Sequence, residues 1–272
     1  MIRVNQDTKI NHVSNIINGK TPSYSGIVSG ECRGRLWVDQ TDHPRIAVVE
    51  SYATGSFAFL GVYHTKDDFI RLNDFLKKDL LIQLKNSGYG CFEFSIDHDN
   101  LREGILDLFK QKSLQSEKEY SFRISEVPVI PPNIPKDYQL RKVDFSFWNR
   151  LCEGQYENGD FIKIRLLENW PSFEAFMDRS IAYCIIYHRR IVAVIIGTAS
   201  YNRIIAIDIE TEEAHRGKGL AYAMASAFIA DCLEHDYIPQ WDCVESNPRS
   251  YQLAQKLGFE RINENTVYWF DI

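Results

Sequence analysis

Between Ile204 and Ala221 the chain passes from an apolar, β-branched run through a short acidic stretch to Arg216-Gly217-Lys218-Gly219-Leu220-Ala221, where a long helical pattern begins. This order of strand, basic-glycine turn and helix constrains the fold more than any other stretch. Two glycines at a strand-to-helix turn let the backbone approach a ligand closely, which a Cβ would prevent. The first turn of a helix has N–H groups without internal partners, and the helix dipole places partial positive charge there. With Arg216 and Lys218 adding formal charge, the segment predicts a phosphate cradle inside an α/β domain.

Three kinds of phosphate loop fit this outline, and two fail on particular residues. A Walker loop ends in Gly-Lys-Ser/Thr, but Gly217-Lys218 is followed by Gly219, so no hydroxyl is available for magnesium. The dinucleotide fingerprint needs a third small residue where this chain has Tyr222, and it belongs in the first βαβ unit, whereas this turn comes late. The third pattern, Arg-x-x-Gly-x-Ala, is spelled by Arg216, Gly219 and Ala221 and resembles the pyrophosphate loop of the GNAT acyl-CoA-dependent N-acetyltransferases. A glycine-basic turn alone also suits a plain helix entrance with solubilising charges, so the flanking segments carry the argument. Downstream, Pro239 to Val244 reads as a strand. Asn247 then opens a helix that closes at Lys256-Leu257-Gly258-Phe259, which resembles the second GNAT motif.

Composition bounds the rest. A chain of 272 residues is long for one such domain, and two are expected. A net charge of −6 argues against broad nucleic-acid binding, which needs a basic face. The six cysteines are scattered, with no Cys-x-x-Cys pair, and read as reduced thiols of a cytoplasmic protein. Histidines and cysteines never cluster at ligand spacing, so no metal is expected. No apolar run approaches the roughly 20 residues of a membrane span, and the start MIRVNQDTKI has no signal-peptide core.

Four of the nine prolines fall at 128, 131, 132 and 135 and mark a boundary. The expected domains are 1–126, a proline-rich linker at 127–136, and 137–272. The second carries the motifs: a strand at 138–143, helical segments at 145–155 and 172–179, a hairpin at 181–199, the two motif units, and a final strand at 266–270. The first repeats a shorter version of this order. Strands at 34–39, 46–52 and 57–63 precede a helix at 66–85, a strand at 91–96 and a helix at 99–110 capped by Asp99 or Asn100. At the equivalent turn, Tyr63 to Asp67, it has no glycine. The resemblance therefore implies an α/β fold with a mixed α+β sheet: a GNAT acyl-CoA N-acyltransferase domain in tandem with a degenerate GNAT-like N-terminal copy. An unrelated α+β N-terminal domain is the alternative.

The arrangement also resembles the two-domain bacterial branch that includes the zwittermicin A resistance acetyltransferase. The residues concerned are Ile207-Asp208-Ile209, His215 to Ala221 and Trp241-Asp242. The resemblance implies acetyl-CoA as co-substrate and a small-molecule amine, of an antibiotic or polyamine-like compound, as acceptor. It implies pantetheine pairing at Ile209, Glu210 and Thr211. The pyrophosphate is expected on the turn Arg216, Gly217, Lys218, Gly219, Leu220, Ala221 and Tyr222, with Asn247 nearby.

An alkyl ammonium must lose a proton before it attacks, so a base is required. Asp208 and Glu210 share one strand face by alternation, and Asp242 matches the position of a fifth-strand acid in the family. Asp242 and Asp208 both remain open as the base. Where many relatives have a tyrosine to protonate the leaving thiolate, this chain has Ala254; Ser246, Tyr251 or water are the substitutes considered. A non-catalytic acyl-CoA-binding module and a Fem-like aminoacyl transferase are the competing readings.

Overall fold

The computed structural model describes residues 1–5, 8–128 and 133–272. The chain divides into two compact units, Met1–Glu119 with Glu264–Ile272, and Tyr120–Asn263.

The elements of the first unit begin with β1 (Ile2–Val4), α1 (Pro22–Val28), β2 (Gly34–Val38), β3 (Ile46–Ser51) and β4 (Phe57–Gly61). The expected long helix is α2 (Lys66–Phe75), one π turn at Leu76–Leu80, and α3 (Leu81–Asn86). Then come β5 (Cys91–Ile96) and α4 (Asp99–Phe109). The α4 cap is His98, whose ring accepts from the Asn100 N–H, and not Asp99 or Asn100 as the sequence suggested. Alternating apolar residues on β3, β4 and β5 form an aromatic core with Phe57, Phe59, Phe92 and Phe94. β4 and β5 run parallel, while β2, β3 and β4 are antiparallel neighbours.

Next is β6 (Gln115–Arg123), a strand that sequence reading overlooked. Its first five residues, Gln115 to Glu119, are all polar or charged and give no strand signal, and the prolines that follow drew the boundary too late. Of the expected linker, 129–132 lie outside the described residues.

The second unit continues with β7 (Tyr138–Lys142), α5 (Phe145–Cys152), α6 (Asp160–Asn169) and α7 (Phe173–Met177). It is completed by β8 (Ala182–Tyr187), β9 (Arg190–Tyr201), β10 (Ile204–Thr211), α8 (Leu220–Glu234), β11 (Ile238–Val244), α9 (Pro248–Leu257) and the start of β12 (Glu260–Asp271). Helix α6 was missed because its apolar residues lie all round it, so no stripe stands out. Strand order in this unit is β6-β11-β10-β9-β8-β7. Helices α8 and α9 cover one sheet face, with Phe228, Ile229 and Trp241 in the core. Helices α5 to α7 cover the other, around Phe147, Leu166 and Trp170.

The final strand departs from expectation. Residues 264–272 belong to the first unit, where β12 pairs antiparallel with β5 from Val267↔Ser95 to Asp271↔Cys91. Residues 120–123 of β6 belong to the second unit, beside β11. A cut at the proline-rich segment therefore separates strands from the sheets they complete.

Candidate active site

The site grows from a splay between two parallel strands. β10 and β11 pair in register at Ile204↔Ile238, Ile205↔Pro239 and Ala206↔Gln240, and no further. At this point the register of β10 against β9 shifts, Ala206 facing Ala199 and Ile207 facing Gly197, so Thr198 has no opposite number. A bulge of this kind bends a strand. It is held by two donors on one carbonyl: Trp170 Nε1 and Ser180 Oγ bond Gly197 O at 2.9 and 2.7 Å. Only glycine fits there, because a Cβ would come within 2.1 Å of Ser180 Oγ and 2.4 Å of Ile205 Cγ2.

The opening leads into a cavity of about 860 Å³. Ile209, Glu210 and Thr211 line it from β10, and Arg216, Gly217 and Gly219 to Tyr222 from the turn and first turn of α8. Asn247 lines it too, and its side chain caps α9 by accepting from Ser250 N at 3.2 Å. Of the expected cofactor residues, Lys218 departs from the set. Its ammonium turns back to Ala214 O at 2.8 Å and it does not line the cavity. Arg216 is anchored by Nε to Thr211 O at 3.0 Å.

The chemistry of the turn fits a diphosphate. Gly217 and Gly219 both have φ of +76°, a left-handed conformation that L side chains rarely adopt. Gly219 is the N-cap of α8, and among the described residues no side chain caps that helix. The first unit makes the contrast. There α2 begins with a full capping box, Thr65 accepting from Asp68 N and Asp68 accepting from Thr65 N, so its own side chains occupy the helix start.

The acids divide into two settings. Asp208, Glu210 and Asp242 share the sheet face opposite Trp241, because Ala206 and Gln240 are neighbours and alternation carries the face along both strands. Arg165 of α6 bonds Asp208 Oδ2 through Nη1 at 2.6 Å and Glu210 Oε2 through Nη2. Both carboxylates are thus engaged by one guanidinium. Glu212 is tied to Arg190 Nη2 at 2.6 Å and Asn158 Nδ2 at 3.0 Å. Asp242 differs. It accepts from Gln240 Nε2 at 3.0 and 3.2 Å, and burial pushes its carboxyl up to about 6, opposed by hydrogen bonds from Ser121 and Gln240 and by the charge of Arg123.

Sequence reasoning noted His215, Trp241, Leu253 and Lys256 only as motif or helix residues and did not assign them to the site; it missed Arg249 and Ser250 altogether, and all six line the cavity. The helical period from Asn247 could have found those on α9, since 249, 253 and 256 fall on one face. Ser250 Oγ accepts from Trp241 Nε1 at 2.8 Å. Of the earlier thiolate-proton candidates, Ser246 is exposed and outside the lining, and Tyr251 packs edge-on to Tyr120 and Phe122. Ala254 is fully buried in the core.

The premise that histidines never cluster also needs correction. In the first unit His12, Asp42 and His43 bring ligand atoms within 4.8 Å of one another. The two rings stack at 4.0 Å with 3° between planes, and His12 Nδ1 bonds Asp42 Oδ1 at 2.9 Å.

A family model described as GNAT acetyltransferase matches residues 16–268. The uncharacterized N-acetyltransferase YdfB of Bacillus subtilis (strain 168) is 35% identical over 139 residues, which are 50% of this chain and 49% of that protein. The chain thus spans about half the length of the curated relative it matches. Among solved structures, a GCN5-related N-acetyltransferase-like protein from Streptococcus suis superposes with a TM-score of 0.59 at 20% identity, covering 87% of this chain and 88% of that one. A tandem GNAT protein from the clavulanic acid biosynthesis pathway gives 0.58 at 10% identity over 89% and 83%. A GCN5-related N-acetyltransferase from Kribbella flavida gives 0.55 at 11% identity over 91% and 93%. At these identities the likeness is one of fold.

Proposed function

This chain belongs to the GNAT acetyltransferase family, and from that premise we propose that it transfers the acetyl group of acetyl-CoA to a primary amine of a small molecule. The observation that carries the reading is the cavity in the β10–β11 splay, which joins a strand edge to an uncapped helix start. A strand edge suits the two amides of pantetheine, and the helix start suits the diphosphate. Ile209 to Thr211 hold the arm; Arg216, Gly217 and Gly219 to Tyr222 hold the phosphates. Lys218 is left out of that set.

The amine reaches the thioester from the opposite sheet face. It gives its proton to Asp242, directly or through one water, and the nitrogen attacks the thioester carbonyl. The C–S bond then breaks, the nitrogen loses its second proton to solvent, and the thiolate takes a proton from solvent, directly or through Ser250, which solvent reprotonates. Unperturbed thiols are acidic enough, near 8.5, that departure without a strong donor is tolerable. Asp242 is preferred to Asp208 because Arg165 bonds one oxygen each of Asp208 and Glu210. That engagement balances the acids, so the acceptor need not be a polycation.

The first unit reads as a degenerate copy without a coenzyme A site. Its β4–β5 pair is parallel like β10–β11, but the following turn has no glycine and α2 caps itself. A cytoplasmic setting and kinship with the two-domain branch containing the zwittermicin A resistance protein accompany this reading as further parts of the proposal. Among the described residues no helix is long and apolar enough to cross a membrane.

A thiol-release assay with acetyl-CoA and a panel of small amines tests the proposal. Release that depends on the amine is expected. Tight coenzyme A binding with no release for any amine would make the protein a binding module instead.

A further inference from the structure

Three polar residues surround Asp242 and take no part in the proton transfer itself. They are Ser121 and Arg123 of β6, and Gln240 of β11. Gln240 is completely buried, where an unmatched amide would be costly. Its Oε1 accepts from Arg123 Nε at 3.0 Å and from Nη2 at 2.8 Å. A guanidinium can only donate, so the amide oxygen must face Arg123 and the amide nitrogen must face Asp242. The orientation of this amide is therefore dictated by chemistry. Its Nε2 then lies at 3.0 and 3.2 Å from the two carboxylate oxygens, a bifurcated donor to Asp242.

We infer that Arg123, acting through Gln240, is a positioning device that holds Asp242 oriented and ionisable for the incoming amine proton. The inference rests on the reading of Asp242 as the base. Arg123 fixes the amide, the amide offers donors and no acceptor, and donors favour the charged carboxylate. Burial acts in the opposite direction. The charged groups on this sheet face include Arg123 from β6, Asp208 and Glu210 from β10, Arg141 from β7, and Arg165 from α6, which is committed to the two β10 acids. Ser121 adds a further hydrogen bond to Asp242. The base of the second unit is thus oriented by a strand that precedes the proline-rich segment.

The test uses the full chain and the pH profile of kcat/KM, whose acid limb reports the essential base of the free enzyme. Gln240→Leu and Arg123→Met should move that limb upward by about one pH unit, a tenfold change in proton affinity. Rates should recover toward wild type near pH 8.5, and coenzyme A affinity should be unchanged. Arg123→Lys, which can still donate to the amide oxygen, should keep the limb close to its wild-type position. Should Gln240→Leu not fold, the contrast between Arg123→Met and Arg123→Lys decides the matter alone. An acid limb that stays put in folded Arg123→Met overturns the positioning role. Asp242→Asn separates the two levels: if it keeps the wild-type rate and limb, the base assignment itself fails and the relay with it. If Asp242→Asn loses both while the relay variants are unaffected, only the positioning role is wrong.

Discussion

Replacing Asp242 by asparagine should make the protein more stable and less active at once. In the folded chain the carboxyl is pushed from 3.8 to about 6, chiefly by burial. At about 1.36 kcal/mol per tenfold change in proton affinity, keeping it ionised costs roughly 3 kcal/mol of folding free energy at high pH. The sign follows from proton counting. Between the two values the folded state binds more protons than the unfolded state, so stability falls as pH rises from 3.8 to about 6 and is level above that. Below 3.8 both states are protonated and the cost vanishes. Asparagine is neutral throughout and can still accept from Gln240 through its carbonyl. Urea unfolding should therefore show Asp242→Asn more stable than wild type by up to about 3 kcal/mol at pH 8 and by about half that at pH 5. Turnover at neutral pH should fall roughly a hundredfold or more, the usual contribution of a positioned base. Coenzyme A affinity should hold, since the side chain lies on the face away from the cavity. A variant less stable than wild type at pH 8, or a gain independent of pH, would refute the reasoning.

Gly219→Glu puts a charged side chain, and an unfavourable left-handed residue, where the diphosphate is expected; calorimetry should show coenzyme A binding weakened at least tenfold, about 1.4 kcal/mol. Arg165→Met leaves Asp208 and Glu210 as unpaired neighbours and should lower thermal stability by about 1 kcal/mol, while Asp208→Asn should retain near-normal turnover in the amine assay. A fragment covering 120–263 keeps the whole second unit, whereas one covering 135–272 loses β6 and exposes the edge of β11. Size-exclusion chromatography should find the first better behaved and binding coenzyme A, and the second aggregated.

What the sequence determined by itself lay in local patterns. Arg216, Gly217 and Gly219 announced their turn because a left-handed backbone and a helix start leave a direct residue signature. Asn247 and Gly258 bounded α9 for the same reason, as cap and left-handed terminator. The alternating and continuous apolar runs located most strands to within two residues. Helix α6 escaped because its apolar residues form no stripe, and β6 because the proline cluster beyond it was the louder signal.

What only the tertiary structure decided involves partners remote in the chain. Nothing near Asp208 or Glu210 reveals that Arg165, 43 and 45 residues earlier, takes both. The Arg123–Gln240 bond spans 117 residues and crosses the proline-rich segment. The same holds for the last strand: the apolar run at its end says that it will be buried in a sheet, but not in which one. Side-chain period and turn chemistry are properties of neighbours along the chain. Strand order and charge pairing depend on which distant segments the two cores bring together.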